Sequence, residues 1–425
     1  MRLALTLIVS VLALVAMPAP AEASRYVRYG VQDDAWLAAG PGTLDERLAE
    51  LQGLGTEVYR FTLRWDRVAT RKPRHAGNPD DPAYDWSWPD SVIRGLRAHG
   101  IAPVVTIWGT PKWANRHRSP NYAPRSKWAL AAFAHAAATR YRDSARHWTI
   151  WNEPNQRRWL RPTSARLYTH LLNVSYAAIH RANPRAKVAG GVTAPRGNAG
   201  GENPVNWIQA MRHYGAKLDA YAHNPYPTRP RRETPWSGGC AWCKTISMAD
   251  LDKLIGEVRT NFPRKRIWLT EYGYQTNPPD RFLGVSFAKQ ALYLGAAALR
   301  ARQAPYVDML IHFLVRDDTK PGGWQSGLRR PTGAAKPSYD AFRFPLAQVS
   351  RSHVRTVMWG QIRPGGGRRP YRLQQWRGGH WRWVGGKRFT DRRGFFTRTI
   401  RAGHGSKVRV WSVKDKAFSA VIAVS

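Results

Sequence analysis

Two short stretches of the chain carry carboxylates where they could do chemistry. Trp148-Thr149-Ile150-Trp151 is rich in aromatic and β-branched residues and reads as a short buried strand. Asn152-Glu153-Pro154 follows, and Pro154 cannot donate to a sheet ladder, so the strand is expected to end at about Glu153. Ile267-Trp268-Leu269-Thr270 repeats the arrangement and ends on Glu271, with Tyr272-Gly273 after it. Two glutamates at two strand ends suit cleavage of a sugar–oxygen bond, one as proton donor and the other as nucleophile. Carboxyl groups about 5 Å apart go with retention of configuration, and wider pairs go with inversion.

The elements that must position these glutamates alternate along the chain. Strands are expected over residues 26–31, 58–63, 101–107, 148–153, 187–190, 218–223, 267–271 and 307–314. Helix-period segments fall between them, over 44–54, 89–99, 128–142, 164–182, 206–214, 249–260 and 286–302, and a last helix closes the set over 336–344. Eight strands with intervening helices are the count of a (β/α)8 TIM barrel, here residues 24–347, and catalytic groups of that fold sit at strand C-termini.

The Asn-Glu-Pro after an apolar strand, with a later Thr-Glu-Tyr-Gly, resembles the retaining glycoside hydrolases of clan A, which include the cellulase and β-xylosidase-like families. The resemblance covers residues 26–345. It implies Glu153 as acid/base and Glu271 as nucleophile, and a hydrogen bond from Asn152 to a sugar 2-hydroxyl. It also implies an arginine at the end of the second strand and a His or Tyr after the sixth; Arg60 and the His223-Asn224-Pro225-Tyr226 set occupy those positions. A charged arginine on an apolar strand needs a partner, which fits a carboxylate, although a structural salt bridge would satisfy Arg60 equally. His223 and Tyr226 could instead be core groups satisfied by backbone. Trp108, Trp113, Trp151, Trp159 and Trp324 follow or flank the strand ends and could floor a glycan cleft or fill core. Where many clan members end the eighth strand on Trp, this chain reads Ile311-His312-Phe313-Leu314, so Phe313 or Trp324 must substitute.

Composition changes near Val349. Helical periods vanish, and short strand-like runs recur between Gly, Pro and Arg, which predicts a small all-β, sandwich-like domain over 348–425. It holds 18 Lys or Arg against two acids, Asp391 and Asp415. Trp376, Trp381, Trp383 and Trp411 could bind a wall or glycan. The favoured expectation is an immunoglobulin-like packing domain whose core they fill, since a small sandwich needs large core residues.

Residues 1–23 read as a secretory leader: one early charge, an apolar run from Leu3 to Met17, and Ala21-Glu22-Ala23 as a cleavage site. The mature chain is then secreted, with no later run long enough to span a bilayer. In an exported chain Cys240 and Cys243 form a local disulfide by default, and no second Cys or His pair completes a metal site. No cofactor is implied. The formal net charge is +39, spread as scattered arginine without a nucleic-acid motif. That is a solvated basic surface, compatible with an acidic polysaccharide or an anionic cell surface as partner. The leading expectation is a secreted retaining glycoside hydrolase acting on a poly- or oligosaccharide, and the alternative is a non-catalytic glycan- or wall-binding protein on the same scaffold.

Overall fold

The computed structural model describes residues 27–320 and 322–425. The expected leader lies outside the described residues. Eight parallel strands close a barrel in chain order: β1 (Arg28–Gln32), β2 (Val58–Arg64), β3 (Ala102–Trp108), β4 (His147–Ile150), β5 (Lys187–Thr193), β6 (Ala220–His223), β7 (Arg266–Tyr272) and β8 (Val307–Phe313). β1 pairs with both β2 and β8, which completes the ring. Helices pack outside; the Leu44–Gly53 helix begins with a Thr43–Glu46 capping box. Among the described residues no helix is long and apolar enough to cross a membrane.

The barrel interior changes character from bottom to top. Val58, Val104, Ala189, Ala220, Ala222, Trp268, Met309 and Ile311 fill its lower part. Strand alternation then brings Arg60, Thr106 and Thr149 inward above them, where the Thr106 and Thr149 hydroxyls bond each other at 2.7 Å and Arg60 Nε donates to Thr106 Oγ1 at 2.9 Å. Buried charge is thus met by buried hydroxyls directly beneath the mouth.

Two strand ends depart from the regular pattern. β4 stops at Ile150, short of the expected Glu153. Trp151 N–H still donates to Ile107 O at 2.9 Å, but Trp151 (φ 70°) and Glu153 (φ 38°) then adopt left-handed backbone, which no strand accommodates. Glu153 N–H bonds the carbonyl of Val192, itself at φ 49° within a register shift of β5. On β7 the pairing with β8 shifts between Leu269 and Tyr272, and this irregularity surrounds Glu271. Trp268 faces the interior and Tyr272 the outer layer, so the shift aims Glu271 into the barrel mouth.

The C-terminal part forms two antiparallel sheets. The first has the order β14-β10-β9, from β9 (Leu346–Arg351), β10 (Arg355–Gln361) and β14 (Phe395–Arg401). The second joins β12 (His380–Trp383), β11 (Pro370–Arg377), β15 (Lys407–Ser412) and β16 (Ala417–Phe418) in that order. β13 (Arg388–Phe389) adds to β11 and β17 (Ile422–Ala423) to β15. The first sheet is covered on both faces. Trp359 and Phe395 join the barrel's core, whereas Met358, Phe396 and Ile400 meet Tyr371, Leu373, Val408 and Val410 of the second sheet. The expectation that Trp376, Trp381, Trp383 and Trp411 fill this core is wrong: none of them belongs to it, because their strand parity sends them to the opposite face of the second sheet.

Candidate active site

Glu153 and Glu271 line one cleft of about 1100 Å³ at the C-terminal mouth of the barrel. Its walls include Gln32, Asp34, Trp108, Asn152, Tyr226, Phe313 and Trp324.

Arg60 organises the nucleophile side. Its side chain is fully buried, and it pairs with Glu271 Oε1 through Nη1. The same Nη1 donates to Gln32 Oε1 at 2.8 Å, and Nη2 donates to Asn152 Oδ1 at 2.8 Å. With Nε on Thr106, every nitrogen of the fork is used, which is what makes a buried guanidinium tolerable. Tyr226 O–H donates to the other carboxylate oxygen of Glu271 at 3.0 Å. The Glu271 carboxylate is therefore held by a guanidinium and a phenol O–H, one on each oxygen. Asn152 has its oxygen committed to Arg60, and among the described residues its Nδ2 has no partner and can donate to a ligand hydroxyl.

Glu153 sits in a different environment. Burial, followed by the charge of Glu271, pushes its pKa up to about 7, against the opposing effects of Asn224 and Arg60. Asn224 Nδ2 donates to Glu153 Oε1 at 3.0 Å, and Asn224 Oδ1 accepts from Thr270 Oγ1 at 2.7 Å. One carboxyl is thus disposed to hold a proton near neutrality while its neighbour has donors suited to an anion, the division an acid/nucleophile pair requires.

The aromatic wall stands next to Glu271. Tyr226 tilts against Trp324 with ring centroids 4.9 Å apart, and Phe313 meets Trp324 edge-on at 5.6 Å. Phe313 and Trp324, the two residues weighed for the end of the eighth strand, therefore both stand in the cleft wall. Trp108 lines the opposite side, edge to Trp159 at 5.5 Å and under the Arg64 guanidinium at 4.8 Å. Trp151 and Trp113 are not cleft residues: their indole N–H groups donate to Trp159 O and Ala69 O, each at 2.7 Å.

His223 is not brought to the cleft. Ala220 and Ala222 point into the barrel, so alternation turns His223 outward. There it is fully buried, with Nδ1 against Thr193 Oγ1 at 2.8 Å and Nε2 against Ile246 O at 2.9 Å. Burial lowers its pKa to about 4, so it stays neutral. The inward position belongs to Asn224, which sequence reasoning passed over although it follows His223 on the same parity as Ala222. Gln32 and Asp34 were also missed; burial raises the Asp34 pKa, and Thr62 N–H donates to its Oδ1 at 3.3 Å. Cys240 and Cys243 are joined in a disulfide in the segment after β6.

The fold, a (β/α)8 barrel with an appended antiparallel domain, is one solved for glycoside hydrolases. A family 39 glycoside hydrolase from Bacteroides cellulosilyticus WH2 superposes with a TM-score of 0.60 at 19% identity, over 89% of this chain and 79% of that one. A monomeric β-xylosidase from Caulobacter crescentus CB15 gives 0.58 at 17% identity, over 92% of this chain and 97% of that one. At these identities the likeness is one of fold. Among curated proteins, thermostable β-glucosidase B of Thermobispora bispora is 31% identical over 106 residues, 24% of this chain and 21% of that protein. A benzoxazinone-glucoside β-D-glucosidase of Triticum aestivum is 29% identical over 121 residues, 26% of this chain and 19% of that protein. The chain thus spans about a fifth of the length of the curated relatives it matches. No family model matches the chain.

Proposed function

We propose that this chain is an exported retaining glycoside hydrolase that cleaves a poly- or oligosaccharide by double displacement. The observation that carries the reading is the asymmetric pair in one cleft: Glu271 clamped by Arg60 and Tyr226, and Glu153 raised toward neutrality by burial and by Glu271. In the first step Glu271 attacks the anomeric carbon. The bond to the leaving oxygen breaks, and that oxygen takes the proton of Glu153, leaving a glycosyl ester on Glu271. Glu153, now a carboxylate, removes a proton from water as the water opens the ester, and the configuration is retained. Asn152 strengthens its bond to the 2-hydroxyl as charge develops, and the Tyr226–Trp324–Phe313 wall packs against the ring.

Arg157, Arg158 and Arg196 line the cleft on the segments after β4 and β5, beside Glu153, and none has a carboxylate within ion-pair distance among the described residues. The proton donor stands on the leaving-group side, so these charges support a substrate whose leaving portion bears anions.

The roles are tested by chemical rescue. Glu153→Ala should lose turnover of a natural glycan yet still form the ester from an aryl glycoside with a good leaving group. Azide should then release a glycosyl azide of retained configuration. Glu271→Ala should be inactive on every substrate until azide gives the inverted product. The opposite pairing of products would swap the two roles. If neither substitution changes hydrolysis of a glycan that the wild type cleaves, the site is elsewhere. Export is tested separately, by finding the chain in the medium with its N-terminus at Ser24.

A further inference from the structure

The outer face of the second sheet carries a row of rings and guanidinium groups that the cleft chemistry does not use. Cross-strand pairing sets Trp381 beside Trp376, Trp383 and Arg409 on either side of Gln374, and Trp411 between Arg372 and Phe418. All of these share one parity, and the buried residues Leu373, Val408 and Val410 take the other. The Arg372 guanidinium carbon lies over the Trp383 ring, 3.8 Å from its centroid. Arg409 is held between Trp381 at 4.1 Å and Phe418 at 3.7 Å, while its Nε and Nη2 donate to Gln374 Oε1 at 2.9 and 2.7 Å. Trp376 and Trp383 keep 41% and 42% of their surface in solvent, so ring faces remain for a ligand.

What distinguishes this face from an ordinary basic surface is its lack of counter-charge. The domain's two acids are committed elsewhere. Asp415 pairs with Arg343 at 2.7 Å, and Asp391 accepts the backbone N–H groups of Arg393 and Phe395 at 2.8 and 2.9 Å. Among the described residues Arg372 meets no carboxylate, and its Nε is buried without a hydrogen-bond partner. Stacking fixes the planes of both guanidinium groups in advance, which lowers the entropy lost when they fork onto a carboxylate or sulfate. Flat rings alternating with oriented, unneutralised forks suit a chain that alternates pyranose faces with anionic substituents.

We propose that this face binds a linear anionic polysaccharide, holding the polymer on which the cleft acts; the proposal rests on the hydrolase reading for the identity of its ligand class. The face lies across the first sheet from the barrel, so it tethers the polymer and does not take part in bond cleavage.

The test is affinity electrophoresis of the full chain in gels containing polygalacturonate, dextran sulfate, a neutral soluble glucan or oligo-dT. Retardation by polygalacturonate or by dextran sulfate is expected, and which of them acts identifies the anion. Trp376→Ala/Trp383→Ala and, separately, Arg372→Gln should weaken it at least five-fold with an unchanged melting temperature. Arg372→Lys, which keeps charge and loses the planar stack, should weaken it similarly. Turnover of a small aryl glycoside should be unaffected in all three. Glu271→Gln should be retarded like the wild type, so inactivity of the hydrolase and failure of the platform are read independently. Retardation by neither polyanion, full retention of binding in Arg372→Lys, or stronger retardation by oligo-dT than by either polyanion at the same ionic strength would overturn the proposal.

Discussion

Glu153, in the turn after β4, and Glu271, near the end of β7, are the same residue type in different surroundings. In the proposed mechanism Glu153 is protonated when it assists a poor leaving group, so kcat on a natural glycan should fall as pH rises through the neutral value that burial and Glu271 impose. On an activated aryl glycoside, with the first step followed alone, that alkaline limb should flatten. Asn224 pulls the Glu153 pKa down, so Asn224→Ala should move the limb to higher pH. A limb that stays in place or moves lower would remove Asn224 from the site. His223 provides the contrast one position earlier. Its substitution by Ala leaves the buried Ile246 carbonyl without its side-chain partner and Thr193 Oγ1 with the Tyr221 hydroxyl alone, which should cost about 1–3 kcal/mol of stability in denaturant unfolding with KM unaltered.

At the scale of elements, the turn after β4 depends on its neighbour. Glu153 N–H rests on the Val192 carbonyl, and Gly191 before it has φ 89°. A Cβ at Gly191 would lie 2.5 Å from the Tyr221 ring and 3.0 Å from Ala222 O. Gly191→Ala should therefore cost about 1–3 kcal/mol of stability and, on the proposed role of Glu153, lower kcat more than it changes KM, since it displaces the backbone support of Glu153. Equal losses in a variant altered at Gly53, where a Cβ meets open space, would show that the effect is not local. The same irregularities mark what could be read from the chain beforehand. The eight strands, and the placement of both glutamates beside strand C-termini, were legible because short apolar runs and a following Pro or Gly are local signals. The early end of β4 and the re-aiming of Glu271 were not, because they arise from register shifts against β5 and β8. His223 and Asn224 were confused because a motif names a cluster, while alternation decides which member faces inward. The outward tryptophans were partly legible: Trp381 and Trp383 flank Arg382, and two residues apart on a strand share a face.

At the scale of the molecule, the barrel and the β-domain share core, so each completes the other. Trp359 and Phe395 belong to the same apolar cluster as the barrel helices, and Leu346 O lies against Gly295 of the Phe287–Gln303 helix, where a Cβ would come within 2.4 Å. Arg363 is the polar anchor of this seam. Its guanidinium lies over Tyr29 at 4.0 Å and Phe342 at 4.9 Å, and it donates to Phe342 O at 2.8 Å and Gln361 Oε1 at 2.7 Å. Burial lowers its pKa to about 10, so it remains charged at neutral pH and depends on the rings and acceptors around it. Arg393 adds a second tie, from Nη2 to the Val27 carbonyl at 2.9 Å, at the end of the barrel opposite the cleft. With the apolar core continuous across the seam, calorimetry of the whole chain should show one unfolding transition. Arg363→Ala should lower that transition as a unit, with a loss of about 2–4 kcal/mol. Two resolved transitions in the wild type, or loss of the β-domain alone in the variant, would mean that the two parts fold independently and that the seam carries little of the stability.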